Sequence, residues 1–224
     1  MLESIEIATG PAPELAVIWL HGLGADGHDF EPIVPELRLE FAVRFVFPHA
    51  PLRRVTINGG MAMRAWYDIL GFDRRAREDD AGIRVSAAAV TELIDREVER
   101  GTPSERVVLA GFSQGGAIAL HTALREPRVL GGIMALSTYL PLVATLAGER
   151  SAANARLPIF MAHGTSDNVL PLALGEASRR ALEAHGYAVD WHSYAMPHSV
   201  CLEEIGAIGV WLAARRGVAA SARA

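Results

Sequence analysis

Short apolar runs alternate with longer amphipathic stretches along most of this 224-residue chain, and few folds accommodate that alternation. Six short runs, most of them apolar on both sides, are predicted strands: residues 16–20, 42–47, 106–110, 131–137, 159–163 and 188–194. Four longer stretches are predicted helices: residues 82–100, 115–125, 172–185 and 200–214. Strands without a polar side must be covered on both faces. The pattern therefore predicts an α/β protein with a mostly parallel central sheet and helices on both faces.

Three segments fall outside the alternation. Residues 2–8 mix apolar and polar side chains loosely, which predicts an exposed edge strand. Residues 48–80 fit no simple helix, and a long non-helical insertion in a compact domain is often a functional loop. Residues 215–224 are small and polar, so we expect them to fray. The length suits one domain that spans residues 1–224.

The composition excludes several classes of function. All 21 basic residues are arginine, so no lysine is available for Schiff-base chemistry or for a phosphate-binding P-loop. Cys201 is the only cysteine, which rules out an internal disulfide and any zinc site that needs two thiolates. The formal net charge is −5 and arginine is nowhere concentrated, so we expect no nucleic-acid partner.

The N-terminal residues carry two glutamates and lack the basic and apolar regions of a signal peptide. The longest apolar runs, such as residues 16–20, are far shorter than the roughly 20 residues of a membrane span. We therefore expect a cytoplasmic protein without a membrane span. A homodimer is possible, and the sequence does not decide the oligomeric state.

The most informative segment is Gly111-Phe112-Ser113-Gln114-Gly115, which joins a predicted buried strand to an alanine-rich helix. The Gly-x-Ser-x-Gly spacing is typical of a serine on a sharp strand-to-helix turn, where bulkier neighbours two residues away would collide. Ser113 is thus a candidate nucleophile above the sheet. The backbone N–H of Gln114 is a candidate oxyanion donor, because the helix start favours negative charge. Taken alone, the segment also fits an ordinary glycine-rich turn.

A serine nucleophile needs a base within hydrogen-bond reach and a carboxylate that orients the base. Asp167 follows the predicted strand 159–163, and His198 follows the predicted strand 188–194. Each residue alone is equally consistent with a turn or a helix start. Together with Ser113, in this chain order and at these strand ends, they predict a catalytic triad.

The second oxyanion donor should follow an early strand, and the backbone N–H of Leu23 is the candidate, since flanking glycines allow close approach. Residues 22–27 also match Gly-x-Gly-x-x-Gly, the dinucleotide fingerprint. That alternative requires an acidic residue about twenty positions on, and residues 47–51 contain none. We therefore expect no nucleotide cofactor.

A metal site is a further alternative, because His21, His28 and His49 accompany Asp26 and Asp29 in the early loops. We interpret His21 instead as a residue that bonds to backbone and shapes the oxyanion loop. The prediction is a site without metal or any other cofactor.

Several linked motifs resemble the carboxylesterase/phospholipase family of α/β-hydrolases, from about residue 11 to residue 212. They are His-Gly-Leu-Gly-Ala-Asp-Gly at 21–27, Pro-His-Ala-Pro at 48–51, Arg53-x-Val55-Thr56-x-Asn58, Trp66-Tyr67-Asp68, Gly-Phe-Ser-Gln-Gly-Gly at 111–116, and the loops of Asp167 and His198. The resemblance implies an α/β-hydrolase fold, the triad Ser113, His198 and Asp167, and the oxyanion donors Leu23 and Gln114. Pro197, directly before His198, departs from the small residue expected there and restricts Met196 to extended geometry.

The function implied is a serine esterase without cofactor, acting on a small-molecule or lipid-like ester, with short to medium acyl chains favoured. Acyl-protein thioesterase, lysophospholipase and a catalytically inactive binding module on a hydrolase scaffold stay open. Apolar residues in loops near the expected site are candidate substrate-binding residues, although core packing is an equal alternative for the first two: Leu70, Phe72, Leu140 and Val169.

Overall fold

The helices and strands follow the apolar pattern closely in the computed structural model, which describes residues 1–71 and 78–216. The strands are β1 Ser4–Ala8, β2 Leu15–Leu20, β3 Val43–Pro48, β4 Leu52–Val55, β5 Met61–Arg64, β6 Val107–Phe112, β7 Gly132–Leu136, β8 Ile159–Gly164 and β9 Val189–Tyr194. The helices are α1 Asp80–Glu99, α2 Gln114–Arg125, α3 Val143–Glu149, α4 Leu172–Ala184 and α5 Leu202–Arg215. The six predicted strands and four predicted helices are all confirmed, each end within about two residues.

Seven strands form one sheet in the order β1-β3-β2-β6-β7-β8-β9. The six strands from β3 to β9 in that order are parallel, and only β1 runs antiparallel, paired with β3 at the edge. The edge strand expected within residues 2–8 is therefore confirmed. Parallel strands place all their carboxyl ends at one edge of the sheet, where ligands bind in open α/β sheets.

The sheet carries a hydrophobic core on each face. Alternate residues of β2 divide between the two cores, with Ile18 on one side and Trp19 on the other. Helices α1, α2, α3 and α4 contribute to the first core, and α5 covers the opposite face. Helices on both faces confirm the predicted α/β class, and every residue of β2 is buried.

The long interval 48–80 contains a two-stranded hairpin, β4 with β5, which the apolar pattern did not predict. Each strand has only four residues and is partly exposed, so neither forms an apolar run. The Asn58-Gly59-Gly60 turn, with both glycines at positive φ, was the available sequence signal. The hairpin leads directly to Trp66 and Tyr67, which are both buried.

Two further expectations concern the termini and the membrane. Helix α5 extends to Arg215, and residues 217–224 lie outside the described residues, as does Phe72. Within residues 1–71 and 78–216, no helix is both long and apolar enough to cross a membrane.

Candidate active site

Ser113, Asp167 and His198 follow three parallel strands of the sheet at the same edge. Ser113 comes directly after β6, Asp167 three residues after β8, and His198 four residues after β9. Strands β8 and β9 are neighbours, and one strand separates β8 from β6. Topology therefore brings together three side chains that lie up to 85 positions apart in the chain.

The backbone at Ser113 is strained, with φ 53° and ψ −121°, a conformation that L-residues rarely adopt. A Cβ added at Gly111 would collide with the backbone of Gly115 and Gly116, and one added at Gly115 would collide with the carbonyl oxygens of Leu20 and His21. Glycine is therefore required on both sides of the turn. The turn packs helix α2 directly against the end of β2 and lifts Ser113 above the sheet.

The imidazole of His198 is held by Asp167. The Nδ1 atom of His198 lies 2.6 Å from Oδ2 of Asp167. The other carboxylate oxygen accepts hydrogen bonds from the backbone N–H groups of Val169 (2.9 Å) and Leu170 (2.8 Å). The Asp167 side chain is fully buried, so these bonds replace the water it would otherwise bind. Pro197 does not prevent His198 from reaching the carboxylate.

Ser113 and His198 line the same cavity. Among the described residues, the Ser113 hydroxyl makes no hydrogen bond with the imidazole. Hydrogen bonds of this kind are often long without substrate and tighten in the reacting complex. The ring of Phe112, the residue before Ser113, has its centroid 4.7 Å from that of the His198 ring.

The predicted oxyanion donors, Leu23 and Gln114, line this cavity as well. A Cβ added at Gly22 would lie 3.6 Å from the Cβ of Ser113, so the loop after β2 passes very close to the serine. Neither the Leu23 nor the Gln114 N–H donates to an acceptor in the described part of the chain. Gln114 is the first residue of α2, where the N–H has no partner within the helix. Both amides are therefore available to a ligand oxygen.

The side chain of Gln114 has a role that the sequence analysis missed. Its Oε1 accepts from the Trp66 backbone N–H and its Nε2 donates to the Tyr67 carbonyl, both at 2.8 Å. The Trp66 indole in turn donates to the His21 carbonyl at 2.9 Å. The start of α2, the loop after β5 and the end of β2 are thus tied together by buried polar contacts.

His21 bonds to backbone through both ring nitrogens, as predicted, and so stabilises the loop after β2. Nδ1 donates to the Gly22 carbonyl at 2.7 Å, and Nε2 accepts from the Ala50 N–H at 3.0 Å. This pattern requires an uncharged ring with its hydrogen on Nδ1. Burial lowers the pKa of His21 to about 4, which agrees with that assignment.

The cavity has a volume of about 640 Å³ and is predominantly apolar. Leu70 and Val169, two of the predicted substrate-binding residues, line it and are about half exposed. Leu140 does not line it: that prediction was wrong, because its side chain turns into the core and is only 7% exposed. Its neighbours Tyr139 and Val143 line the cavity instead.

Two tyrosines form a polar pair in the cavity wall that the sequence did not reveal. The hydroxyls of Tyr67 and Tyr139 lie 2.8 Å apart. Burial raises the pKa of Tyr139 to about 12 and that of Tyr67 well above its usual value, so both stay protonated. The pairing joins residues 72 positions apart, and no local pattern connects them.

Comparison with known proteins adds evidence of kinship. Residues 3–215 match the model of the phospholipase/carboxylesterase family. Acyl-protein thioesterase 1 of Neurospora crassa is 42% identical over 210 residues, covering 89% of this chain and 86% of the relative. Acyl-protein thioesterase 1 of Cryptococcus neoformans is 37% identical over 229 residues, covering 94% and 96%.

Solved structures agree with this comparison. Arabidopsis thaliana SOBER1 is 31% identical, with a TM-score of 0.85 over 90% of this chain and 98% of that chain. Zea mays acyl-protein thioesterase 2 is 28% identical, with a TM-score of 0.86 over 97% and 100%. The central sheet and its flanking helices therefore form an α/β-hydrolase fold.

The close approach at Gly115 predicts the outcome of Gly115→Ala. Helix propensity alone would stabilise this variant by about 1 kcal/mol, but the added Cβ meets rigid carbonyl groups. We expect the free energy of unfolding to fall by about 1–3 kcal/mol, measured by chemical denaturation. Gly206→Ala is the matched control, since nothing lies within 4 Å of that Cβ in α5, and it should stabilise. Equal stabilisation by both variants would contradict the packing at the turn.

The low pKa of His21 predicts a pH-dependent stability. His21 takes up a proton at about pH 6.5 in the unfolded chain but only at about pH 4 in the folded chain. The contribution of neutral His21 to the free energy of unfolding is therefore complete above about pH 6.5 and is lost as the pH falls toward 4. His21→Gln should flatten the decline of unfolding free energy in this window by up to ~1.4 kcal/mol per pH unit. Denaturant titrations at several pH values measure the slope. A slope identical to that of the wild type would disprove the assignment.

Proposed function

The chain belongs to the phospholipase/carboxylesterase family of ester hydrolases, and we propose that it works as a serine hydrolase through an acyl-enzyme on Ser113. The observation that carries the proposal is the juxtaposition of three elements at one cavity. These are the strained serine turn, the imidazole with Nδ1 2.6 Å from a buried carboxylate oxygen, and two backbone N–H groups, of Leu23 and Gln114, that have no acceptor among the described residues.

In the acylation step, the Ser113 hydroxyl attacks the ester carbonyl while Nε2 of His198 accepts its proton. Asp167 keeps the hydrogen of the imidazole on Nδ1, which leaves Nε2 free as the base. The carboxylate also stabilises the imidazolium that forms. Imidazolium then donates the proton to the leaving oxygen or sulfur, and the acyl group remains on Ser113.

The tetrahedral oxygen that forms in this step carries a negative charge. The N–H groups of Leu23 and Gln114 bind it, and the start of α2 adds a favourable dipole. A donor of this kind is typically worth about 3–4 kcal/mol in the transition state. Because His21, Trp66 and the Gln114 side chain hold both loops, the donors need little reorganisation.

In the deacylation step, water attacks the acyl-enzyme carbonyl with His198 again as the base. The same two N–H groups bind the second tetrahedral oxygen. The carboxylic acid leaves and the Ser113 hydroxyl is restored. No step requires a metal or an organic cofactor.

Replacement of the nucleophile is the direct test. Ser113→Ala should lower the rate of p-nitrophenyl butyrate hydrolysis by roughly 10⁴-fold or more and abolish labelling by a fluorophosphonate probe. The variant should still fold. Ser104→Ala, at the opposite end of β6, is the control and should retain both. A wild-type protein that neither hydrolyses the ester nor takes the label would be the catalytically inactive binding module instead.

For the substrate, we propose carboxylic esters with short to medium acyl chains, placed against the apolar wall. Leu70, Val143 and Val169 supply much of that wall. The second candidate is an acyl thioester. It is favoured by the curated relatives, since acyl-protein thioesterases are 37–42% identical to this chain.

Kinetics on matched oxygen esters and thioesters separate the two candidates. Acyl lengths from acetate to palmitate, with a lysophospholipid alongside, would give kcat/KM as a function of chain and leaving group. A maximum at butyrate to octanoate oxygen esters supports the first candidate. A maximum at the palmitoyl thioester supports the second.

The apolar wall predicts a chain-length effect for Leu70→Asn. Loss of apolar contact should lower kcat/KM about tenfold for a p-nitrophenyl decanoate and less than about twofold for the acetate. Leu202→Asn is the matched control, because Leu202 is exposed on α5 and does not line the cavity. Equal losses on both esters in Leu70→Asn would place the acyl chain elsewhere.

A further inference from the structure

A second histidine, His163, lies behind the carboxylate of the triad. It is the penultimate residue of β8, and its side chain is 1% exposed. The ring stacks on Trp191 of β9 with centroids 6.4 Å apart. On another side it packs against α4, where a Cβ added at Gly175 would lie 2.5 Å from Nδ1. The ring is therefore held in one orientation by its neighbours.

Hydrogen bonding decides where the hydrogen of His163 lies. Nε2 is 2.7 Å from the carbonyl oxygen of Leu170. A carbonyl oxygen only accepts, so Nε2 must be the donor. Nδ1 has no hydrogen-bond partner among the described residues, and a hydrogen there would be buried without an acceptor. The hydrogen is thus on Nε2.

The Nε2–H group of His163 stabilises the loop that carries Asp167. The Leu170 N–H donates to Oδ1 of Asp167, and the Leu170 carbonyl accepts from His163. The backbone N–H and the backbone carbonyl of Leu170 therefore both take part in holding the Asp167 carboxylate. Without the histidine donor, the Leu170 carbonyl would be buried without this partner.

The same Nε2 atom also lies 3.5 Å from Oδ2 of Asp167, the oxygen that binds His198. The carboxylate is consequently placed between two imidazoles. A hydrogen with partial positive charge near Oδ2 lowers the negative potential that the carboxylate exerts on His198. Since all three side chains are largely buried, solvent screens this effect only weakly.

We propose that His163 is a positioning residue for the triad, which acts on His198 through Asp167. The inference rests on the proposed function. His163 holds the Asp167 loop by its bond to Leu170, and its proximity to Oδ2 weakens the attraction between that carboxylate oxygen and a positively charged His198 ring. It touches neither substrate nor the reacting atoms.

The test compares pH profiles of kcat/KM for p-nitrophenyl butyrate in three variants. His163→Phe keeps the ring and removes the donor. His163→Asn keeps a polar group but is too short to place a donor at Nε2. His163→Gln places an amide N–H near the Nε2 position and is the conservative variant.

We expect His163→Phe and His163→Asn to lower the plateau of kcat/KM about tenfold. The midpoint of the acid limb should move to higher pH by roughly half a unit. His163→Gln should recover most of the plateau and the wild-type midpoint. Since a purely structural defect lowers the fraction of active enzyme, it would scale the profile without moving its midpoint.

Active-site titration with the fluorophosphonate probe corrects each rate for the fraction of competent enzyme. An unmoved midpoint in both donor-free variants, or a Gln variant no better than Phe, overturns the proposal. If His163→Phe fails to fold, His163→Asn against His163→Gln decides. Failure of the wild type to be labelled at Ser113 would instead overturn the proposed function, so the two failures are distinguishable.

Discussion

The contact between the serine turn and the end of β2 is the constraint on which the rest of the site depends. Gly115 brings the start of α2 against the carbonyl oxygens of Leu20 and His21. The same turn carries Ser113 and the Gln114 N–H, and it lies close to the loop of Leu23, where a Cβ added at Gly22 would be 3.6 Å from the Cβ of Ser113. A larger residue at position 115 would push the start of α2, and Ser113 with it, away from the end of β2 and the loop that follows it.

Buried polar groups hold this arrangement together. His21, Trp66 and Gln114 each use a side chain to bind backbone atoms of a different loop. Unpaired buried groups are costly, so each bond specifies one loop position rather than merely adding stability. Asp167 is held in a similar way. It accepts hydrogen bonds from backbone N–H groups, one of them that of Leu170, and the Leu170 carbonyl in turn accepts a hydrogen bond from His163.

Sequence patterns failed for short, partly exposed strands and for contacts that join residues far apart in the chain. The β4–β5 hairpin was missed because its strands are short and partly exposed, although Asn58-Gly59 marked its turn. Leu140 was assigned to the cavity because it follows a strand end. In the structure the preceding residue, Tyr139, lines the cavity, and the side chain of Leu140 packs into the core. The Tyr67–Tyr139 pair and the His163–Leu170 bond have no signature in the sequence at all.

The sequence by itself determined the six parallel strands, the edge strand, four of the helices, the glycine-flanked turn at Ser113 and the strand ends that carry Asp167 and His198. These follow from local sterics and from apolar periodicity, which act over a few residues. Tertiary structure alone decided which side chains line the cavity, which hydrogen each histidine carries and which loop each buried amide holds. Such properties depend on partners far apart in the chain, whose distance and burial exist only once the sheet has formed.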